Sequence, residues 1–133
     1  MSTLKVNALQ DANGANQSTT EQIEQGRAKA YCRFNGSGTA SITSSFNVSS
    51  LTDYSTGNFG VNFSTDMADA NYAYAFGHDA PYNTSINPNQ HVCCNTHHNA
   101  PTASLLRFRF YNPVSSGHLN DPGRACVIVF GDQ

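Results

Sequence analysis

The strict alternation of Asn58-Phe59-Gly60-Val61-Asn62-Phe63-Ser64 constrains this chain most, because three large apolar side chains fall on one side and Asn, Gly and Ser on the other. A period of two is that of a β-strand, and an apolar face of this size has to be buried against another layer. Thr56-Gly57-Asn58 separates this run from Leu51–Tyr54, so the two read as strands joined through a tight turn.

The same signal recurs along the chain. Tyr31, Cys32 and Phe34 sit in a run that breaks at Asn35-Gly36-Ser37-Gly38, and the stretch from Thr39 to Val48 places Ile42, Phe46 and Val48 at even spacing. Tyr72, Tyr74 and Phe76 alternate with Ala73 and Ala75, giving one face of large rings and one of small side chains, as sheet-on-sheet packing requires. Leu106, Phe108 and Phe110 alternate with Arg107 and Arg109, which predicts a strand with a polar outer face. Ala125 to Phe130 is continuously apolar, the pattern of a central strand buried on both faces. The expected fold is all-β, an antiparallel β-sandwich with one short N-terminal helix.

That helix is predicted from Ser18-Thr19-Thr20-Glu21, a capping-box pattern, with Ile23 as its one strongly apolar side chain and Gly26 placed to end it. Two turns are not stable alone, so the Ile23 face has to dock on the sheet or on another chain. Before it, Leu4, Val6 and Ala8 alternate with Thr3, Lys5 and Asn7 and lead into the turn Asp11-Ala12-Asn13-Gly14. This strand either pairs with a neighbouring chain or forms an edge of its own domain. The organisation predicted is a segment over 1–26 and a β-domain over 27–133 with long loops at 77–104 and 112–123.

Composition excludes several classes of function. Of 133 residues only 12% are charged and the net charge is −2, so no basic stripe is present to hold a nucleic-acid backbone. Asn, Ser and Thr make up about 30% of the chain, a polar and uncharged balance suited to β-rich surface or virion proteins. No apolar run approaches a membrane span and no secretory leader is apparent, so neither membrane insertion nor secretion is expected. The Asn-x-Ser triplets at Asn47, Asn62 and Asn83 therefore read as strand and turn polar residues. The four cysteines read as reduced thiols. Cys32 and Cys126, in predicted strands, read as small core residues, with a bridge between them open if those strands are neighbours.

One cluster has metal-ligand chemistry: His91-Val92-Cys93-Cys94-Asn95-Thr96-His97-His98. Imidazole and thiolate suit zinc and borderline transition metals, and His91, Cys93, Cys94, His97 and His98 are the candidate ligands. Extended backbone at 91–94 puts His91 and Cys93 on one face and turns Cys94 away, and the separated knuckles of a zinc finger are missing. The alternative is a polar loop with exposed imidazoles and no cofactor. Tyr82, with Asn83, Asn87, Asn89, His97, His98 and Asn99 nearby, offers a ring and amides of the kind that hold sugars, although Asn-rich loops are also ordinary turn chemistry. Asp79 lies beside His78, but no nucleophile elbow, phosphate loop or metalloprotease helix accompanies them, and an enzyme is not expected.

Certain segments also resemble a known family. They are Gly26-Arg27-Ala28-Lys29-Ala30, Phe34-Asn35-Gly36-Ser37-Gly38-Thr39, Ser45-Phe46-Asn47-Val48-Ser49-Ser50-Leu51-Thr52-Asp53, Thr56-Gly57-Asn58-Phe59 and Met67-Ala68-Asp69-Ala70-Asn71-Tyr72. The opening Met1 to Asp11 and the closing Val129-Phe130-Gly131-Asp132 belong to the same pattern. Together they resemble small tail-fibre-type virion proteins of tailed bacteriophages, over about the first 72 residues and the last few. The resemblance implies a homotrimer in the virion, assembled in the host bacterial cytoplasm, whose N-terminal segment attaches to other virion proteins or intertwines with its own copies. His91-x-Cys93 partly resembles the His-x-His pair with which some trimeric phage fibres hold an axial iron. The functions this leaves open are a tail fibre or tail-tip component that binds a host surface glycan, a trimeric capsid decoration protein, and a metal-dependent binding module built on the His/Cys cluster. For the first, recognition through loops of such low charge is expected to be largely insensitive to salt.

Overall fold

A computed structural model describes residues 2–79, 93–95, 100–112 and 118–133. In chain order the elements are β1 (Ala8–Leu9), β2 (Ser18–Thr19), α1 (Thr20–Gly26), β3 (Ala30–Asn35), β4 (Ser41–Phe46), β5 (Val48–Ser55) and β6 (Asn58–Phe63). They continue with β7 (Ala73–Asp79), β8 (Cys93–Asn95), β9 (Leu105–Asn112), β10 (His118–Leu119) and β11 (Arg124–Phe130). The protein is mostly β, with a single short helix among the described residues and every ladder antiparallel.

One sheet has the order β4-β3-β11-β7; the other has the order β10-β9-β6-β5, with β8 also paired to β9. Their apolar faces share one core, because each strand sends alternate residues inward. Cys32 and Phe34 come from β3, and Ala125, Val127 and Val129 from β11. Phe59, Val61 and Phe63 come from β6, and Leu106, Phe108 and Phe110 from β9. The Phe34 ring lies 5.3 Å from Phe59, 6.0 Å from Phe108 and 6.3 Å from Phe110, so it joins the two sheets directly. Phe76 of β7 closes on Phe108 at 4.9 Å. Burying side chains of this kind contributes about 1.5–3 kcal/mol each, and tilted ring pairs add about 0.5–1.5 kcal/mol.

The alternation seen in β6, β7 and β9 is matched by the core, and β11 is indeed central, paired with β3 on one side and β7 on the other. Its continuous apolarity has a different origin from the one expected. Only Ala125, Val127 and Val129 face the core, while Cys126 and Ile128 face outward and are exposed. Ile42 and Phe46 also differ from expectation. β4 is an edge strand whose register against β3 shifts between Arg33 and Phe34, and all six of its residues are exposed. Asn47 then turns the chain at a positive φ of 54°, carrying it from one sheet into the other. The Asn47 side chain fixes that corner by accepting from Thr65 N and donating to Thr65 O.

At the N-terminus the leader does not form a strand over its whole length. Only Ala8–Leu9 pair, with Ser18–Thr19, around a turn held by the Asp11 carboxylate. Ala15 N, Asn16 Nδ2 and Asn13 N donate to it, and these bonds, the one from Ala15 above all, hold Asp11 below its ordinary carboxylate range. The capping box is present one residue later than predicted: Gln22 N–H donates to Thr19 Oγ1 while Thr19 N–H donates to Gln22 Oε1. Thr19 is the residue immediately before the helix and keeps an extended backbone, so it takes the cap and Glu21 falls in the first turn, where a negative charge suits the dipole.

The β5–β6 hairpin tip is tied to the rest of the structure at Gly57. Its N–H donates to Asp121 Oδ1 at 2.6 Å and its carbonyl accepts from Phe110 N at 2.7 Å. Its φ of +66° and the approach of Phe110 O and Asn120 N, each within 3 Å of where a Cβ would stand, leave no room for any side chain. Gly57→Ala is therefore expected to destabilise the fold by more than about 2 kcal/mol in chemical denaturation, since strained backbone and rigid neighbours act together. A loss below about 0.5 kcal/mol would contradict this packing.

Candidate functional site

Tyr82, Asn83, Asn87, Asn89, His91, His97, His98 and Asn99 lie outside the described residues. The backbone of Cys93 and Cys94 belongs to β8, opposite Tyr111 and Phe110 of β9, so part of the expected loop at 77–104 is strand. β7 likewise extends to Asp79, and β10 occupies part of the expected loop at 112–123. Among the described residues no group of three His, Cys, Asp or Glu side chains is close enough to hold a metal ion.

The most developed surface feature that is described lies on the outer face of the β4-β3-β11-β7 sheet. The antiparallel register sets Ser44, Arg33, Cys126 and Gly77 side by side in one row across the four strands. A shallow cavity of about 470 Å³ opens here, lined by Arg33, Gly77, His78, Arg124, Ala125 and Cys126. Gly77 makes space for its neighbour: a Cβ at this position would lie 2.9 Å from Cys126 Sγ. The next row along the strands is apolar, with Phe46, Tyr31 and Ile128 in register and exposed by 53%, 40% and 36%. The Tyr31 and Phe46 rings stack at 6.3 Å with 25° between their planes, and Tyr31 Oη lies 3.4 Å from Ser44 Oγ.

The same register separates the two cysteines described with their side chains. Cys32 pairs with Val127 and faces the core, whereas Cys126 pairs with Arg33 and faces out. The strands are neighbours as the bridge required, yet the two thiols are on opposite sides of the sheet, and both are free. Only Cys32 is a core residue. Its burial pushes the thiol up to about 11.

On the opposite sheet the outer face is occupied by its own contacts. The Arg107 guanidinium lies 3.7 Å from the Tyr54 ring centroid, and its Nε donates to Asn58 Oδ1 at 3.0 Å. Gly60 leaves the floor on which Tyr54 rests, 2.9 Å from where a Cβ would be. Asn62 Nδ2 donates to Ser50 Oγ and Thr52 Oγ1, which places this Asn-x-Ser residue in a cross-strand polar ladder. Arg107 and Asn62 are thus used in holding strands together.

Sequence reasoning did not single out Arg33, Arg124, Tyr31, Phe46 or Ile128 as site residues. A signal was present, because Tyr31-x-Arg33 and Arg124-x-Cys126-x-Ile128 each put like-facing residues at strand spacing. Their meeting depends on the β3–β11 pairing, which joins residues far apart in the chain and is invisible to local periodicity.

No family model, no curated protein and no solved structure matches this chain. No helix among the described residues is long and apolar enough to cross a membrane.

The placement of the thiols gives a direct test. Brief treatment of the folded protein with iodoacetamide near pH 8, followed by peptide mass mapping, should label Cys126 and spare Cys32 until denaturant is added. Labelling of Cys32 at the same rate as Cys126 in the folded protein would contradict the register.

Proposed function

We propose that the chain is a structural virion protein of a tailed bacteriophage, a tail-fibre or tail-tip component that binds a host surface glycan. In this reading three copies of a β-sandwich domain form a homotrimer, and residues 1–26 attach it within the particle. Two antiparallel sheets with a common aromatic core support the sandwich, and the resemblance to small tail-fibre-type proteins supports the assignment to a fibre.

The observation that carries the reading is the uncovered N-terminal segment. Leu4, Leu9 and Ile23 are 82%, 52% and 42% exposed, and α1 buries none of its residues. A two-residue ladder and a seven-residue helix are below the size that is stable in water on its own. The link to the domain is ionic: Glu24 faces the buried Lys29 ammonium and the Arg27 guanidinium, and Lys29 first, then Arg27, hold Glu24 below its ordinary range. The apolar side chains of this segment are positioned to be covered by another chain, where each fully buried residue contributes about 1.5–3 kcal/mol. The polar, weakly charged domain beyond it suits an exposed position on a particle, and copies gathered on one stalk strengthen weak binding through effective concentration.

Light scattering on the intact protein tests this. The expected mass is near three chains of 14.3 kDa, about 43 kDa, falling to one chain in the Leu4→Ser, Leu9→Ser, Ile23→Ser variant. A wild-type mass of one chain, or a triple variant that keeps the wild-type mass, would contradict the proposal.

A further inference from the structure

We infer that the uncovered edge of β4 receives the N-terminal leader of a neighbouring copy, which adds residues 2–6 to the four-stranded β4-β3-β11-β7 sheet as a further strand. β4 ends its sheet with β3 on one side, and all six of its residues are exposed. Among the described residues no backbone hydrogen bond other than those of the β3 ladder reaches 41–46, so the outer row of N–H and C=O groups is open. Exposed edges are commonly blunted by charged side chains or Pro, and Ser-Ile-Thr-Ser-Ser-Phe has neither. The register shift lies between Arg33 and Phe34, so Ser44 to Phe46 face Arg33 to Tyr31 without a break and form a regular template. β5, at the edge of the other sheet, carries Asp53, and its Val48, Leu51 and Thr52 are half-buried.

The leader fits the β4 edge by period and by face. Leu4 and Val6 are 82% and 39% exposed, alternate with Thr3 and Lys5, and belong to no ladder in their own chain. A period of two is that of a strand, and a lone strand becomes stable only by joining a sheet. Ser44 and Phe46 lie on the outer face, in the rows of Arg33 and Tyr31. Antiparallel addition with Leu4 beside Phe46 and Val6 beside Ser44 therefore lengthens the exposed apolar row of Phe46, Tyr31 and Ile128 by one large side chain. Lys5 then falls beside exposed Ser45 at the rim, where its ammonium stays in water. The inference rests on the reading of residues 1–26 as the segment that joins copies, and the surface is continuous with it, since the uncovered Leu9 comes three residues after Val6. A second β4 at this edge would close a two-fold pair and leave every leader uncovered. A leader closes a cycle instead, because each copy gives one strand and receives one.

Disulfide trapping in the intact protein tests this. Residues directly opposite in an antiparallel pair have Cα atoms about 4.5–5.5 Å apart, within reach of a disulfide. In a Val6→Cys, Ser44→Cys variant, with Cys126→Ser removing the exposed native thiol, mild oxidation is expected to link position 6 of one copy to position 44 of the next. The expected products are covalent dimers and trimers whose linked peptides carry those two positions. Hydrogen exchange on the unaltered protein is read beside it. The amides of residues 3–6 have no backbone hydrogen bond within one copy, and alternate ones should be slowed at least about tenfold by the new ladder. A native mass near three chains with no such link would overturn the inference and leave the trimer standing. So would a link inside one chain, or one between two copies of position 44. Free exchange at every amide of 3–6 in that trimer would overturn it too. A native mass of one chain would remove the reading on which the inference rests, and the inference with it.

Discussion

The contact of Phe34 with three rings of the opposite sheet is the interaction on which the rest of the structure depends. Phe34 reaches Phe59, Phe108 and Phe110, and those rings in turn meet each other edge-on, Phe59 with Phe110 at 6.2 Å and Phe108 with Phe110 at 5.6 Å. A chain of 133 residues with so many polar side chains has few large apolar groups, and it concentrates them here. Backbone geometry serves this cluster. Gly36 N–H donates to Pro122 O, and its missing side chain admits the Phe59 ring and Pro122, both 2.8 Å from where a Cβ would stand. At the other end Tyr72 seats its ring against Phe63 and directs its hydroxyl at Thr102 O and Leu105 O, and burial, followed by Tyr74, pushes that hydroxyl's pKa up to about 12.

Because the rings fix how the sheets face each other, they also fix what is left outside. β11 sits between β3 and β7, so outward residues from the three strands meet in rows, and the arginine row comes to lie beside the aromatic row. The other outer face is consumed by strand-to-strand contacts, the Tyr54–Arg107–Asn58 chain above all. The two faces therefore differ in kind: one carries the Tyr54–Arg107–Asn58 chain, and the other carries the exposed Tyr31 and Phe46 rings in the row beside Arg33.

Much of this was legible in the sequence where a strand has one buried and one wet face. Phe59-Val61-Phe63 and Leu106-Phe108-Phe110 declare their inner faces by alternation, and the capping box declares α1 to within one residue. Legibility fails where burial is decided by neighbours far away in sequence. Val127 and Ile128 look equally apolar, yet only the side facing Phe34 and Phe108 is covered, and nothing local distinguishes them. Ile42 and Phe46 follow strand spacing as well as Phe59 does, but they stand on an exposed edge strand, Phe46 on the outer face against Tyr31. The candidate site was hidden for the same reason, since Arg33 and Cys126 meet only through long-range pairing. The glycan and metal candidates in the Asn- and His-rich stretch lie outside the described residues, Cys93 and Cys94 of β8 apart, and their reading stays with the sequence.

The central claim is that one aromatic cluster makes the two sheets a single cooperative unit, on which the exposed rows are displayed. Residue-resolved amide hydrogen exchange tests it most directly. The account predicts that the slowest amides of β3 and β11 in one sheet and of β6 and β9 in the other share one opening free energy, that of global unfolding. Separate opening energies for the two sheets, with one of them exchanging while the other stays protected, would contradict it.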